Sequence, residues 1–425
     1  MSYKLQNVVT GRIFDDTGWL LSDPEYATPA LIRAIYDKKR IDVGESSEGI
    51  YRFADWLPIS RTLKNSSATV TYKSVKLADH LGLKNLYISF SGYWPEKGAN
   101  MTTCSFKETE AYSVCGRLTG KERGVMVVAS AGNTARAFAR VCSDNDIPLL
   151  IVVPEDNLDA MWFNTPLKEC VKLVSTPSGS DYFDAIDLAN KICMSERFFE
   201  EGGAKNVARR DGMGTTVLSA VHEIGTIPDY YFQAIGSGTG TIAAWEANLR
   251  LIEDGRFGSN KMRLIPVQNY PFVPMYEAWK RGDRNIVFKD ENEARDAALQ
   301  IEAKVLSNRR PPYGIAGGLF DAMSDAGGDM EIADNGELAS ASALFERLEG
   351  NDIHPAAAIA LAGMIKSIES GKVDKNGVVM LNITGGGEQR FKSGNTLHYK
   401  KADMIIDNSI ETALIHAKIE VLFRQ

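Results

Sequence analysis

The sequence predicts an α/β protein that contains two parallel-sheet domains with helices on both faces. Two runs, "GVMVVAS" and "PLLIVVP", are short and fully apolar, which is typical of strands buried on both faces. Helical segments alternate with such strands along most of the chain, and this alternation is typical of a parallel sheet. The length of 425 residues indicates two domains rather than one.

The individual elements follow from local patterns. "SVKLADHLGLKNLYISF" predicts a helix that ends near Gly82 and then a strand. "NTARAFARVCSDN" predicts a helix that begins at the capping residue Asn133, and a further helix begins at Asp181. Later segments predict helices at "TTVLSAVHEIG", "TIAAWEANLRLIEDG" and "HPAAAIALAGMIKSIESG", and strands at "YYFQAIG", "MRLIPVQN" and "GVVMLNI". The first eighty residues are less regular, and we expect them to wrap the core or to form a lead-in subdomain.

Composition limits the classes of partner. The net charge of −7 disfavours a role on nucleic acid or on a membrane surface, since such roles usually need a basic excess. The longest apolar runs are too short to span a bilayer, and "MSYKLQNVVTGRIF" lacks the apolar core of a signal peptide. The five cysteines show no zinc-like spacing. We therefore expect a cytoplasmic protein with reduced thiols and no metal site.

Three strand-to-helix turns have unusual chemistry. They are "SAGNTARA", "GSGTGT" and "TGGGEQ", and each follows a predicted strand. Ligands of parallel α/β sheets bind beyond the carboxyl ends of the strands, where glycine-rich turns and helix N-termini attract phosphate. "GSGTGT" is not a Walker A loop, and the next strand ends in Gln268 and Asn269 without the acidic residue of a dinucleotide site. A single phosphate group fits this turn better than a dinucleotide does.

A lysine with an unexpected position completes the pattern. Lys107, in "TTCSFKETEA", stands at the start of a predicted helix, where the helix dipole disfavours positive charge. It is either a surface lysine or a lysine that forms a Schiff base with an aldehyde cofactor. One such lysine, a phosphate cradle and two polar turns at strand ends together indicate pyridoxal 5′-phosphate.

The order of the motifs resembles that of a known family. "LADHLGLKNLYISF", "SFKETEA", "SAGNTARA", "RRDGMGTT", "GTIPDYYFQAIGSGTGT" and "LNITGGG" resemble the threonine synthase branch of the fold-type II pyridoxal-phosphate enzymes, which share the tryptophan synthase β-like fold. The resemblance covers roughly residues 75 to 390. It implies a cofactor in the cleft between two domains, with Lys107 as the Schiff-base lysine and Asn133 beside the phenolic oxygen. It also implies Thr384 beside the ring nitrogen, and a phosphate cradle made of Gly236, Ser237, Gly238, Thr239 and Gly240.

Departures from threonine synthase indicate a different substrate. The segment before Lys107 lacks the family's proline and glycine, and Gly214 stands where the family has a lysine. Resemblance to a paralogue linked to coenzyme M biosynthesis implies a β-replacement that converts O-phospho-L-serine and sulfite into L-cysteate and phosphate, in a homo-oligomer. The substrate carboxylate would then bind at Ser130, Ala131 and Thr134, and candidate cations for the leaving phosphate are Arg209, Arg210 and Arg390.

The division into domains and the alternatives complete the prediction. We expect residues 1–100 to form a lead-in and part of the large domain, residues 101–205 a smaller mobile domain, and residues 206–425 the large cofactor-binding domain. Alternative functions are a threonine synthase acting on O-phosphohomoserine, a serine/threonine dehydratase-like lyase, and a non-catalytic protein that binds a phosphorylated ligand.

Overall fold

Two parallel sheets form the centre of the computed structural model, which describes residues 3–45, 48–120, 124–130 and 132–423. The five-stranded sheet is wholly parallel. Its strands, from one edge to the other, are Phe198–Glu200, Val125–Ala129, Leu149–Pro154, Val171–Thr176 and Met404–Ile405. The predicted strands "GVMVVAS" and "PLLIVVP" are adjacent here, and their apolar side chains are buried as expected for a sheet covered on both faces.

The six-stranded sheet contains the later part of the alternation. Its strands, in spatial order, are Glu331–Ala333, Arg263–Asn269, Tyr230–Ala234, Val378–Ile383, Asn85–Phe90 and Val70–Lys73. All neighbours are parallel except the edge strand Val70–Lys73, which runs antiparallel to Asn85–Phe90. The predicted α/β class, with parallel sheets and helices on both faces, is therefore confirmed.

Helices connect the strands and cover the sheets. In chain order the α-helices are Lys76–Leu81, Lys107–Arg117, Asn133–Asp144, Tyr182–Ile192, Val207–Ile224, Thr239–Asp254, Pro274–Lys280, Glu291–Gln300, Leu319–Asp325, Asn335–Glu349, Pro355–Glu369, Glu388–Gly394 and Thr412–Leu422. Short 3₁₀ helices lie at Gly49–Trp56, Pro95–Lys97, Glu155–Ala160, Gly203–Lys205 and Lys304–Leu306. Within the described part of the chain, no helix has the length and apolar character needed to cross a bilayer.

The first eighty residues have more order than their sequence indicated. Tyr3–Asn7 pairs antiparallel with Ile13–Phe14 and with Ile32–Tyr36. The inward side chains of this small sheet belong to the core cluster that includes Tyr231 and Met380 of the six-stranded sheet. The segment therefore wraps the core, which is one of the two arrangements expected for it.

One helix begins earlier than its apolar pattern predicted. Helix Val207–Ile224 starts at Asn206, whose side chain accepts a hydrogen bond from the N–H of Ala208. Glycine has a low helix propensity, so helix propensity alone does not predict the first half of this helix, which contains Gly212 and Gly214. Packing explains Gly212, because a Cβ there would lie 2.7 Å from the Cβ of Ser113 in the neighbouring helix.

The C-terminal segment packs against the five-stranded sheet. Strand Met404–Ile405 pairs with Val171–Thr176 of the five-stranded sheet, and helix Thr412–Leu422 packs on helix Tyr182–Ile192. Two of its buried isoleucines, Ile415 and Ile419, join the apolar cluster of that sheet. The chain after residue 388 thus packs against the unit that contains residues 125–200, because its apolar side chains are buried there. The domain boundaries themselves stay a prediction.

A buried acid holds the turn before helix Lys107–Arg117. Glu108 is 2% exposed, and its Oε1 accepts a hydrogen bond from the N–H of Thr103 at 2.6 Å. Burial raises the pKa of this carboxyl from 4.5 to about 7, and the hydrogen bond from Thr103 opposes part of the rise. The folded chain therefore keeps a proton on Glu108 at pH values where the unfolded chain has lost it.

We expect Glu108→Gln to remove a pH-dependent loss of stability. Between the unfolded pKa of 4.5 and the folded pKa of about 7, the wild-type free energy of unfolding should fall with rising pH through this group. Glutamine keeps an acceptor for Thr103 without the ionisation. Urea unfolding at about pH 5 and about pH 8 gives the free energy of unfolding of both proteins. From the lower to the higher pH, the value for the variant should rise relative to that of the wild type by on the order of 3 kcal/mol. A change of Glu369 to Gln, on the exposed end of helix Pro355–Glu369, is the matched control. An equal difference at both pH values would contradict the assigned ionisation.

Candidate active site

A cavity of about 310 Å³ lies where the carboxyl ends of strands from both sheets meet. Four turns contribute to its wall. We name them the lysine turn (residues 101–107), the asparagine turn (130–134), the glycine turn (236–240) and the threonine turn (384–387). The structure thus brings together the predicted residues Lys107, Ser130, Asn133, Thr134, Gly236, Ser237, Gly238, Thr239, Gly240 and Thr384. Ala131, the remaining predicted substrate residue, lies outside the described residues.

The lysine turn is hydrogen bonded directly to the threonine turn. The N–H of Phe106 donates to the carbonyl oxygen of Thr384 at 2.9 Å, and the N–H of Gly386 donates to the carbonyl oxygen of Cys104 at 3.1 Å. Cys104 has a φ of 56°, a left-handed conformation that is uncommon for a residue with a Cβ. These contacts place the start of helix Lys107–Arg117 beside the end of strand Val378–Ile383.

The glycine turn begins a long helix that points its N-terminus at the cavity. Helix Thr239–Asp254 follows Gly238, whose φ of 78° is in the left-handed region that favours glycine. Gly236 packs against the 3₁₀ segment Lys304–Leu306, where a Cβ would lie 2.9 Å from the Cα of Leu306. Ser237 and Thr239 face each other through hydroxyl groups 2.9 Å apart. Hydroxyls, backbone N–H groups and a helix N-terminus form a site that suits a phosphate group.

Asn133 begins the helix that follows the asparagine turn. Its Oδ1 accepts a hydrogen bond from Nη2 of Arg136 at 2.9 Å, and the residue lines the cavity. Ser130 follows strand Val125–Ala129, and its Oγ accepts a hydrogen bond from the N–H of Gly132 at 3.0 Å. The turn therefore offers the cavity an amide group, a hydroxyl from Thr134 and the N-terminus of helix Asn133–Asp144.

Lys107 lies beside a buried chain of alternating charges. Its Nζ is 3.1 Å from Oε2 of Glu110, and Oε1 of the same carboxylate is 3.4 Å from Nη1 of Arg209. Arg209 in turn donates to Oε1 of Glu201 at 2.8 Å. Burial lowers the pKa of Lys107 below its ordinary value, and the carboxylate of Glu110 opposes part of that shift. A lowered pKa increases the fraction of free amine, which is the form of lysine that acts as a base or a nucleophile.

The side chains that line the cavity are basic or neutral, although the chain as a whole has a net charge of −7. Among the described residues the lining contains no aspartate or glutamate. Its basic residues are Lys107, Lys205, Arg209, Lys304 and His354. Such a lining attracts anions.

Of the three arginines expected near a leaving phosphate, only Arg209 lines the cavity. Arg210 is the next residue on the helix and faces a different direction, where its Nε donates to Glu246 at 2.8 Å. Arg390 pairs with Glu96 outside the lining. Arg209 is itself paired with Glu201 and Glu110, so its charge is already balanced.

Sequence reasoning missed the other basic residues of the lining. Lys205 ends the 3₁₀ segment Gly203–Lys205, and its exposed ammonium has no ion pair within the described part of the chain. His354 precedes helix Pro355–Glu369, and its Nε2 is 2.9 Å from Oε2 of Glu388. The glycines of "EGGAK" were the available signal for Lys205, since a glycine-rich turn between strand and helix resembles the other turns of the site.

These residues fit pyridoxal phosphate. The described structure records no hydrogen bond from the side-chain hydroxyl of Thr384 or from Nδ2 of Asn133, although both residues line the cavity. A primary amine, a free amide donor, a free hydroxyl and a glycine-rich helix N-terminus are the donor set that this cofactor requires.

Comparison with known proteins identifies the family of the chain. The model of the pyridoxal-phosphate dependent enzyme family matches residues 93–385. The chain is 47% identical over 382 residues to a cysteate synthase of Methanosarcina acetivorans, covering 89% of this chain and 91% of that protein. It is 43% identical over 422 residues to a cysteate synthase of Methanospirillum hungatei, covering 99% of each.

Solved structures share the fold at much lower identity. Maize serine racemase superposes with a TM-score of 0.59 at 15% identity, covering 75% of this chain and 88% of that one. Tomato (Solanum lycopersicum) threonine deaminase isoform 2 superposes with a TM-score of 0.55 at 18% identity, covering 76% and 87%. The family match over residues 93–385 and the curated relatives matched over nearly the whole length show that the chain belongs to the pyridoxal-phosphate dependent enzymes and, within them, to the family of the cysteate synthases.

Proposed function

We propose that this protein is a cysteate synthase that converts O-phospho-L-serine and sulfite into L-cysteate and phosphate, a β-replacement that serves coenzyme M biosynthesis. The observation that carries the proposal is the basic lining of the cavity around Lys107 in an acidic chain. Both substrates and both products are anions, so this lining suits them. The relatives named cysteate synthase support the same reaction.

Lys107 is the base in this proposal. When bound, pyridoxal phosphate supplies an electron-withdrawing ring that takes up the electrons left at Cα after deprotonation. Lys107 removes the Cα proton, and Glu110, 3.1 Å away, stabilises the ammonium that results. The Cβ–O bond breaks with phosphate taking the bonding pair, and a lone pair of sulfite forms the Cβ–S bond. The proton returns to Cα, so the reaction needs neither an oxidant nor a reductant.

The other turns orient the reactants. Asn133 would donate to the phenolic oxygen of the cofactor, and the glycine turn would hold its phosphate. Thr384 would place a hydroxyl at the ring nitrogen, where a carboxylate would have kept that nitrogen protonated. Negative charge at Cα is then spread less widely, which favours rapid loss of a group from Cβ. Ser130 and Thr134 would bind the substrate carboxylate at the start of helix Asn133–Asp144.

The residues present suit a β-replacement, which has fewer proton-transfer steps than a γ-replacement. A γ-replacement on O-phosphohomoserine requires removal of a second proton, from Cβ, whereas a β-replacement requires only the Cα proton. Gly214 stands where threonine synthases have a lysine and does not line the cavity, and a Cβ there would lie 3.4 Å from the Cβ of Ala247. We further propose that the protein is a homo-oligomer in the cytoplasm without nucleic-acid or membrane partners.

Borohydride reduction should place the pyridoxyl group on Lys107. Peptide mapping would locate the label, and Lys107→Ala should lose both the label and the visible absorption band of the bound cofactor. The amines of Lys205 and Lys304 also line the cavity and are the internal comparison. A label on either of them, with Lys107 unmodified, would contradict the assignment.

The decisive assay supplies O-phosphoserine with sulfite and measures cysteate and phosphate. We expect both products in equal amounts, and inorganic phosphate should compete with sulfite because the same cations hold both anions. O-phosphohomoserine is tested in parallel. Threonine from that substrate, without cysteate from O-phosphoserine, would identify a threonine synthase, while pyruvate and ammonia would identify a dehydratase-like lyase. Cofactor binding without turnover of any of these substrates would indicate the alternative of a non-catalytic protein that binds a phosphorylated ligand.

Lys205 should contribute to the binding of anions. Its ammonium lines the cavity without a carboxylate partner among the described residues, unlike the guanidinium of Arg209. We expect Lys205→Ala to raise the KM for O-phosphoserine and for sulfite by roughly tenfold, with a smaller effect on kcat. Lys168→Ala, which removes a surface lysine paired with Asp146, is the matched control. An unchanged KM for both anions would exclude this role.

A further inference from the structure

Arg136 is a buried cation that the reaction described above does not use. It lies on helix Asn133–Asp144, is 2% exposed, and its guanidinium carbon is 4.0 Å from the ring centroid of Trp162. Nη1 donates to the carbonyl oxygen of Ala160 at 2.9 Å. Nη2 donates to the carbonyl oxygen of Thr103 at 3.0 Å and to Oδ1 of Asn133 at 2.9 Å.

The chemistry of the guanidinium determines which end of the Asn133 amide faces it. Arginine has five N–H donors and no acceptor. The amide atom 2.9 Å from Nη2 must therefore be the oxygen, because an NH₂ group would bring two donors together in a buried site. The NH₂ group of Asn133 is then left for the cavity.

We propose that Arg136 is a positioning residue that fixes the amide of Asn133 with its NH₂ group towards the cavity, so that Asn133 donates to the phenolic oxygen of pyridoxal phosphate. This inference rests on the proposed function, because it assigns a purpose to the orientation of a residue that binds the cofactor. Arg136 does not itself line the cavity, and the cavity-lining residue whose side chain it bonds is Asn133.

Further contacts hold the guanidinium in place. Nη2 is 3.6 Å from Oε2 of Glu388, which begins the helix after the threonine turn. Oε1 of Glu388 is 2.7 Å from Nζ of Lys392, and Oε2 is 2.9 Å from Nε2 of His354. Burial opposes ionisation of Glu388, but the hydrogen bond from His354 and the charge of Arg136 keep its pKa below the ordinary value. A carboxylate therefore balances the buried cation.

This guanidinium also joins three parts of the site. Thr103 belongs to the lysine turn, Asn133 to the asparagine turn, and Glu388 follows the threonine turn. A purely structural role as a tie between these segments is the alternative to the positioning role. The two roles differ in one respect: only a positioning residue has an effect on the cofactor that depends on Asn133.

A double-mutant cycle tests that dependence. Arg136→Gln, Asn133→Ala and the double variant are loaded with pyridoxal phosphate, and the cofactor dissociation constant and the absorption maximum are measured. Each single variant should bind the cofactor roughly three- to tenfold more weakly, the range expected for one hydrogen bond, and should shift the absorption band. The double variant should match Asn133→Ala alone. Additive losses, or a wild-type band and affinity in Arg136→Gln, would overturn the proposal.

Two further variants make the test specific. Lysine has only donors, so Arg136→Lys should retain the wild-type absorption band. Glutamine can present an oxygen to Asn133, so Arg136→Gln allows the Asn133 amide to rotate by half a turn. Similar spectra for the Lys and Gln variants would overturn the proposal even if the Gln variant were unstable. Arg140→Gln, one turn along the same helix and paired with Asp144, is the matched control and should leave the band unchanged. A wild-type protein that binds no cofactor would overturn the proposed function as well, whereas additivity would overturn this inference alone.

Discussion

The site depends on backbone contact between two turns that are distant in the chain. Phe106 and Thr384 are joined by a 2.9 Å hydrogen bond, and Gly386 and Cys104 by one of 3.1 Å. The threonine turn is also packed closely against a third segment, since a Cβ on Gly386 would lie 2.6 Å from the carbonyl oxygen of Asp352. Glycine at position 386 is therefore a packing requirement. This contact places Lys107 and Thr384, which both line the cavity, on adjacent turns.

The charges around Lys107 are divided between buried pairs and an exposed group. Arg209 is held between Glu110 and Glu201, because a buried cation without a partner would be strongly destabilising. Lys205 remains exposed and pays little desolvation, so it is available to anions that enter from solvent. The pairing of Arg209 sets the charge beside Lys107, while Lys205 extends the positive field to the mouth of the cavity.

Two buried side chains, Glu108 and Arg136, support the residues that face the cavity. Glu108 holds the lysine turn through Thr103, and Arg136 contacts the same turn, the asparagine turn and the helix after the threonine turn. Both supporting residues are almost fully buried. A site of this kind keeps its geometry because the supporting groups have few alternative partners.

The sequence alone determined the α/β class, because buried parallel strands and amphipathic helices leave periodic patterns, and it indicated Lys107, the glycine turn and the other two turns through local motifs. Which residues meet was decided by tertiary structure. Arg209 and Arg210 are adjacent in the sequence, yet one lines the cavity and the other pairs with Glu246, because successive helical side chains point about 100° apart. The return of residues 404–405 to the five-stranded sheet and the contacts of Arg136 with Thr103 and Glu388 are likewise long-range. Local patterns record which face of an element is buried, but they do not record what it is buried against.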